Sequence, residues 1–170
     1  MILVLVTITC ISGLILSITW SLSVHKIKQN EKMVLEKAIY EISPTAVTYE
    51  TKIQKDTIIY KCFDENKNLI SYAFMAEGSG FQAAIKALVA VDPKWQKITG
   101  IQILEQTETP GLGTKITEPS FLNEFKNLVL QTQNQTLISY SKNSTDKEHG
   151  VIKAITGATI WSKAVVTLVR

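Results

Sequence analysis

Two threonines near the C-terminal end, Thr156 and Thr159, stand with only Gly157 and Ala158 between them in the stretch ITGATIWSKAVV. A threonine hydroxyl can be esterified, and small neighbouring residues let a ligand come close to the backbone. The apolar run that follows predicts a helix, whose N-terminus favours phosphate groups. The same hydroxyls can instead cap that helix. The residues alone therefore leave two interpretations, an attachment site and a helix cap.

Two glycine-containing stretches precede this one. Glu108 to Lys115 reads ETPGLGTK, in which Pro110 fixes one backbone angle while Gly111 and Gly113 free others. Such a loop can bring backbone N–H groups close to a flat or anionic ligand, although Pro-Gly pairs also form ordinary turns. A shorter stretch, GSGF from Gly78 to Phe81, follows a predicted strand.

Metal and hydrolytic chemistry find little support in the sequence. Cys10 lies in an apolar N-terminal run and Cys62 stands alone in the remainder, so the spacing builds no intradomain disulfide, Cys-x-x-Cys pair or zinc cluster. His25 and His149 are far apart and neither suits a metal site. The Gly-x-Ser-x-Gly motif of serine hydrolases is absent. We therefore predict no metal ion and no catalytic side chain.

The first 24 residues contain no charged side chain and no histidine. About 20 apolar residues suffice to cross a bilayer as a helix. The run lacks the basic start and the Ala-x-Ala site that are typical of a cleaved signal peptide, so we predict a retained transmembrane anchor over 1–24. Lys26 and Lys28 follow this segment, where they can meet lipid phosphates. By the positive-inside rule they favour a cytoplasmic position for the rest of the chain.

The remaining sequence mixes helical and strand periodicities. Leu35, Ile39 and Ile42 recur at helical spacing and predict an amphipathic juxtamembrane helix over 25–45. Strands are predicted over 57–63, 69–76, 83–92, 97–106 and 135–140. Two more helices are predicted, over 120–130 and from Trp161 onward. The predicted fold class is α+β: a single N-terminal transmembrane helix followed by one mixed domain over 46–170.

The charge distribution excludes one class of partner. The formal net charge is only +3, and the basic residues are scattered instead of interleaved with aromatic ones. Nucleic-acid-binding domains typically concentrate basic residues on one face. We therefore expect no nucleic-acid partner.

The three stretches GSGF, ETPGLGTK and TGAT occur in this order behind one apolar span. This arrangement resembles the flavin-binding subunit family that includes the G subunit of Rnf complexes and the C subunit of sodium-pumping NADH:quinone reductase. The resemblance covers most of the chain, and the absence of a long extra domain makes the Rnf G subunit the closer match. It implies covalent FMN, held by a phosphoester bond to Thr159, with Thr156, Gly157 and Ala158 shaping the approach to that hydroxyl.

The resemblance also implies which residues surround the isoalloxazine ring of FMN. The family's ring-side loop falls on Glu108 to Lys115, with Thr109 and Leu112 as the expected ring neighbours, and the segment from Gly78 forms a second wall. The cofactor-binding residues expected in these two segments are Glu108, Thr109, Gly111, Leu112, Gly113, Lys115, Gly78 and Gly80.

The function that the resemblance implies is electron transfer within a membrane complex. Such a complex exchanges electrons between ferredoxin and NAD and moves Na⁺ or H⁺. The implied partners are the flavin-carrying D subunit, the small A and E membrane subunits, and a flavin transferase for maturation. The family's FMN-binding domain lies outside the cytoplasm, whereas Lys26 and Lys28 favour the opposite side.

Two positions depart from the family pattern. Lys153 stands where the attachment motif usually begins with Asp, and Trp161 stands where a smaller Thr is common. Lys153 keeps a second function open, a membrane-anchored binding or assembly module of the same fold that lacks covalent flavin. Trp161 is expected either to stack near the cofactor or to pack in the core.

Overall fold

The first helix runs far beyond the apolar N-terminal segment. The computed structural model describes residues 1–54, 57–131 and 137–170, and its first helix, α1, spans Ile2–Ile42. This helix is long and apolar enough to cross a membrane. The juxtamembrane helix predicted over 25–45 forms the last part of α1 and ends at Ile42. The chain divides into two compact units, Met1–Glu36 and Lys37–Arg170, so the last turns of α1 belong to the second unit.

The second unit contains a sheet of sequential antiparallel strands. The strands are β1 (Thr48–Gln54), β2 (Thr57–Phe63), β3 (Leu69–Ser79), β4 (Ala84–Val91), β5 (Lys97–Glu105) and β6 (Leu128–Val129). They pair in chain order. The predicted β2–β3 hairpin and the two strands after it are confirmed. Strand β1 was not predicted, because its polar sequence TYETKIQ is exposed along nearly its whole length and lacks an apolar alternation.

Each face of the sheet packs against one helix within this unit. On one face, Val165 and Val166 of the last helix, α3 (Thr159–Val169), pack into the main core with buried residues such as Ile85 and Phe125. On the other face, Ile42 lies so close to Gly100 that an added Cβ there would stand 3.1 Å from the Cβ of Ile42. Strand β4 is central and almost wholly buried, as its apolar run ALVAV requires.

The connection from β5 to β6 differs from its prediction. The helix predicted over 120–130 is limited to α2 (Pro119–Leu122) and a single 3₁₀ turn over Asn123–Phe125. Asn127 has a φ of +58°, which ends helical continuation, and Leu128 then pairs with Ile98 of β5. Backbone pairing at the sheet edge therefore overrides the helical spacing of Phe121, Phe125 and Leu128, which predicted the longer helix.

A second, two-stranded sheet leads to the C-terminal helix. Its strands, β7 (Ser139–Ser141) and β8 (Val151–Lys153), are parallel. The strand predicted over 135–140 overlaps β7, and its first two positions lie outside the described residues. The helix predicted from Trp161 begins at Thr159. The α+β fold class, with one long apolar helix preceding a mixed domain, is confirmed.

Candidate functional site

A tight turn connects β8 to α3. The N–H of Ala158 donates to the carbonyl of Ile155 at 3.0 Å, which closes a turn through Thr156 and Gly157. Gly157 has a φ of +78°, a conformation that side chains with a Cβ rarely adopt. The small residues of the stretch therefore serve the turn itself, and they place Thr159 at the first position of α3.

Ser162 fixes this turn onto the helix, a role that the sequence did not reveal. Its hydroxyl accepts a hydrogen bond from the N–H of Ile155 at 2.9 Å and lies 3.3 Å from the carbonyl of Ala158, to which it donates. Ser162 is completely buried, so these bonds also satisfy a hydroxyl that would be costly to leave unpaired. A serine within a helix usually faces solvent, and the spacing carried no signal of this role.

The threonine hydroxyls do not cap α3. Ala158 occupies the N-cap position, and no side chain makes a capping hydrogen bond there. Among the described residues, the hydroxyls of Thr156 and Thr159 have no hydrogen-bond partner. Thr156 is exposed and Thr159 is half-buried. The cap interpretation of these two residues is therefore wrong, and the hydroxyl of Thr159 remains available for chemistry.

The ETPGLGTK loop is held by its own backbone. The carbonyl of Thr109 accepts hydrogen bonds from the N–H groups of Leu112, Gly113 and Thr114 at 3.2, 2.8 and 3.3 Å. Thr114 makes a second hydrogen bond within the loop, in which its hydroxyl accepts from the N–H of Gly111 at 3.0 Å. This compact loop leaves the side chain of Leu112 44% exposed. Lys115 is half-buried in the 3₁₀ turn that follows, Gly113–Thr117.

Glu108 joins this loop to the GSGF stretch. Its carboxylate is only 4% exposed. Oε1 accepts from the N–H groups of Phe81 and Ala83 at 2.8 and 3.4 Å, and the N–H of Gln82 is shared between Oε1 and Oε2 at 3.2 and 3.0 Å. Gly80 permits this arrangement, because an added Cβ there would lie 2.0 Å from Oε1 of Glu108.

Trp161 brings the third stretch to the same carboxylate. Its indole Nε1–H donates to Oε2 of Glu108 at 2.8 Å, and its ring contacts that of Phe81 edge-on with centroids 5.7 Å apart. Gly113 completes the packing, since an added Cβ there would lie 2.5 Å from the Cβ of Glu108 and 2.6 Å from the indole nitrogen. Trp161 therefore links the helix that begins at Thr159 to both glycine-containing stretches.

The electrostatics of Glu108 follow from these contacts. Burial raises the pKa of a carboxyl group, but the hydrogen bonds from the Trp161 indole and from the N–H groups of Gln82, Ala83 and Phe81 outweigh that effect. The net pKa of Glu108 is lowered below its ordinary value. The group is therefore a buried, ionised carboxylate whose charge is stabilised by hydrogen bonds from uncharged N–H groups.

The structure thus brings together Gly80, Glu108 and Gly113 from the expected set. Gly78 lies elsewhere along β3, where an added Cβ would stand 3.2 Å from Leu168 of α3. Its smallness therefore serves the packing of helix on sheet. The sequence did not predict that Glu108 would connect all three stretches.

The loop and the turn are open to solvent at two of their glycines. An added Cβ at Gly111 or at Gly157 would meet no atom within 4 Å. Three side chains from the three stretches are apolar yet exposed: Phe81 by 62%, Leu112 by 44% and Ile160 by 57%. Together with the unpaired Thr159 hydroxyl, these features fit a group that has an apolar ring and a phosphate. In the part of the chain that the structure describes, no His, Cys, Asp and Glu side chains form a metal-binding group.

Comparison with known proteins assigns the class. The chain belongs to the FMN-binding domain family, whose model matches residues 80–170. The G subunit of an ion-translocating oxidoreductase complex from Methanosarcina acetivorans is 29% identical over 170 residues, covering 95% of this chain and 85% of that protein. The G subunit of the proton-translocating ferredoxin:NAD⁺ oxidoreductase complex of Clostridium ljungdahlii is 31% identical, covering 78% of this chain and 77% of its own length.

A solved structure is similar in fold. The crystal structure of NqrC from Shewanella oneidensis superposes with a TM-score of 0.60 at 24% identity. The similarity covers 73% of this chain and 64% of the NqrC chain. These comparisons confirm the family that the three sequence stretches predicted.

Proposed function

We propose that this chain is the FMN-carrying electron-transfer subunit of a membrane ion-translocating oxidoreductase of the Rnf type. Its family and its G-subunit relatives support this function. The observation that carries it is the hydroxyl of half-buried Thr159, which is unpaired among the described residues at the start of α3, two positions before the Trp161 that hydrogen-bonds to Glu108. The complex would pass electrons between ferredoxin and NAD and move Na⁺ or H⁺.

The attachment that we propose is a phosphoester at Thr159. With FAD as donor and a flavin transferase as catalyst, the Thr159 oxygen would bond to the phosphorus of the FMN half. The pyrophosphate bond would break, AMP would leave, and the hydroxyl proton would pass to solvent or a base of the transferase. Gly157 leaves the approach open, because nothing lies within 4 Å of the position of its missing Cβ.

The protein would position and shield the cofactor. FMN supplies one- and two-electron redox chemistry when bound, so no acid–base side chain is required of the chain. Phe81, Leu112 and Ile160 would supply apolar cover for the ring system. The N-terminus of α3 favours an anionic phosphate beside Thr159.

The proposed cellular setting rests on α1 and on the family resemblance. We propose that its apolar part, residues 1–24, anchors the chain in the cell membrane as a single pass, that 25–45 forms the juxtamembrane segment, and that 46–170 forms the FMN-binding domain on the extracytoplasmic side. Its partners would be the flavin-carrying D subunit and the small A and E membrane subunits. A flavin transferase would act on it during maturation.

Substitution of the two neighbouring threonines tests the attachment. Thr159→Val keeps the side-chain shape and removes the hydroxyl oxygen, so we expect the purified chain to fold and to lose the flavin fluorescence of its denatured gel band. Thr156→Val removes the exposed hydroxyl three positions earlier and should leave that fluorescence in place. Thr159→Ser should retain part of it. Equal fluorescence in the Thr159→Val variant would contradict attachment at this residue.

A second function remains tied to Lys153. Its side chain is exposed, and its backbone N–H donates to Oε2 of Glu124 at 2.9 Å. The end of β8 is therefore held through the backbone, and an acidic side chain at position 153 is not needed for it. If the native chain carries no flavin even with a flavin transferase and FAD supplied, the assembly-module function replaces the redox function. Under the redox function, Lys153→Asp should keep or increase the flavin content.

A further inference from the structure

Three exposed apolar side chains of the domain lie on three separate stretches of the chain. Phe81 follows β3, Leu112 lies in the ETPGLGTK loop and Ile160 is the second residue of α3. Single exposed apolar residues are common on protein surfaces. These three differ because two of their stretches are hydrogen-bonded, directly or through one neighbour, to the same buried side chain, and the third stretch follows that residue in the chain.

That side chain is Glu108. It receives the backbone N–H of Phe81 at 2.8 Å, and it receives the indole N–H of Trp161, the residue after Ile160, at 2.8 Å. It is followed by Thr109, whose carbonyl accepts from the N–H of Leu112 at 3.2 Å. The Glu108 carboxylate thus holds the Phe81 segment and the Trp161 side chain directly, and the loop that carries Leu112 begins at the residue after Glu108.

Glu108 has no acceptor capacity left for a ligand. A carboxylate offers about four lone-pair positions. Four N–H groups already point at its two oxygens, from Phe81, Gln82, Ala83 and Trp161. Direct hydrogen bonding from Glu108 to the N–H groups of a flavin would require one of these donors to leave.

We propose that Glu108 is a positioning residue, which does not touch the flavin but holds Phe81, Leu112 and Ile160 as one apolar surface against its ring. This inference rests on the proposed function of the chain. It changes the role expected for Glu108, from a ligand of the cofactor to the support of the residues that contact it. Trp161 is a second positioning residue, because its hydrogen bond to Glu108 connects the loops to α3, the helix that begins at Thr159.

The test combines two variants with two controls in the full-length chain. Glu108→Gln replaces one acceptor oxygen by an NH₂ group that opposes the N–H donors. Trp161→Phe keeps an aromatic ring and removes only the indole donor. Glu105→Gln alters an exposed carboxylate on β5 that pairs with Lys86, and Trp95→Phe alters an exposed indole stacked on Tyr72.

Two readouts separate positioning from a merely structural role. In the chain without flavin, Glu108→Gln should accelerate amide hydrogen exchange at Phe81 and Gln82 by at least roughly tenfold. In the chain loaded with FMN, Glu108→Gln and Trp161→Phe should shift the flavin midpoint potential and change its visible circular dichroism. Both controls should match the native chain in both readouts.

Each failure has a distinct meaning. Faster exchange with an unchanged potential and dichroism would show that Glu108 only stabilises the fold, and would overturn the proposal. Unchanged exchange would overturn it as well. If Glu108→Gln does not fold, the outcome with Trp161→Phe decides alone. A native chain that never carries FMN would overturn the proposed function together with this inference, whereas a loaded chain with an unchanged flavin would overturn only the inference.

Discussion

The indole Nε1–H of Trp161 lies 2.8 Å from Oε2 of Glu108 and donates a hydrogen bond across 53 positions of sequence. This bond connects the helix that begins at Thr159 to the loop that precedes Leu112. Removing any one donor from this buried carboxylate costs free energy, because the carboxylate is then less fully hydrogen-bonded. The site is therefore sensitive to changes that leave Thr159 itself untouched.

Acid should weaken the fold partly through Glu108. Its pKa is lowered in the folded chain, so its contribution to the free energy of unfolding is present above the unfolded pKa, about 4.3, and is lost as the pH falls through the folded pKa. The native chain should therefore exceed Glu108→Gln in stability most at neutral pH and least in acid.

Denaturant unfolding of the full chain in detergent, repeated across this pH range, measures that difference. Asp64 and Asp146 also have lowered pKa values, but they titrate in both proteins and cancel in the comparison. A difference between the two proteins that stays constant with pH would contradict the charge assigned to Glu108.

Gly113 should tolerate no side chain. An added Cβ would stand 2.5 Å from the Cβ of Glu108, so Gly113→Ala should cost about 3 kcal/mol in the free energy of unfolding. Gly111→Ala is the matched control, because its added Cβ meets no neighbour and its cost comes only from a φ of +76°, about 1 kcal/mol. Denaturant unfolding of both variants checks the order, and equal costs would argue against close packing at Gly113.

Leu112 should be a neighbour of the flavin ring. A negative charge there opposes the addition of electrons to the flavin, so Leu112→Asp should lower its midpoint potential while leaving the ester at Thr159 intact. Ile53→Asp places the same charge at an exposed apolar position on β1 and should leave the potential unchanged. Spectroelectrochemical titration of the loaded chains gives both values. Coincident titrations of Leu112→Asp and native protein would remove Leu112 from the ring surface.

The domain should face the extracytoplasmic side. A Glu65→Cys substitution in the exposed β2–β3 turn, combined with Cys10→Ser, leaves the buried Cys62 as the other thiol. A membrane-impermeant maleimide should label this variant in intact cells. Anchoring is tested separately, because alkaline carbonate washing should leave an anchored chain in the membrane pellet. Labelling only after lysis would place the domain in the cytoplasm, as Lys26 and Lys28 alone would suggest.

The sequence predicted those parts of the fold that depend on local patterns. The β2–β3 hairpin follows from two β-rich runs around a polar turn, and the first part of α1 follows from an uncharged run. The missed features depend on long-range contacts. Strand β1 is held by pairing with β2, and the pairing of Leu128 with Ile98 ends the helical reading of that segment.

The same distinction applies to the site. The three stretches could be recognised from their residues, because glycines and threonines at fixed spacing mark a turn and a loop. Glu108 could not be recognised as their common support, since its donors come from Phe81, Gln82, Ala83 and Trp161, far away in sequence. The role of Ser162 was equally hidden, because it depends on the turn that the chain makes before α3.

The intact mass of the chain tests the central claim most directly. The protein is expressed with a flavin transferase and FAD, purified, denatured and measured beside its Thr159→Val variant. We expect the native chain to be heavier than its sequence by FMN less one water molecule, and the variant to have the mass of its sequence alone. A native chain at its unmodified mass under these conditions, or a variant that still carries the added mass, would contradict covalent FMN at Thr159.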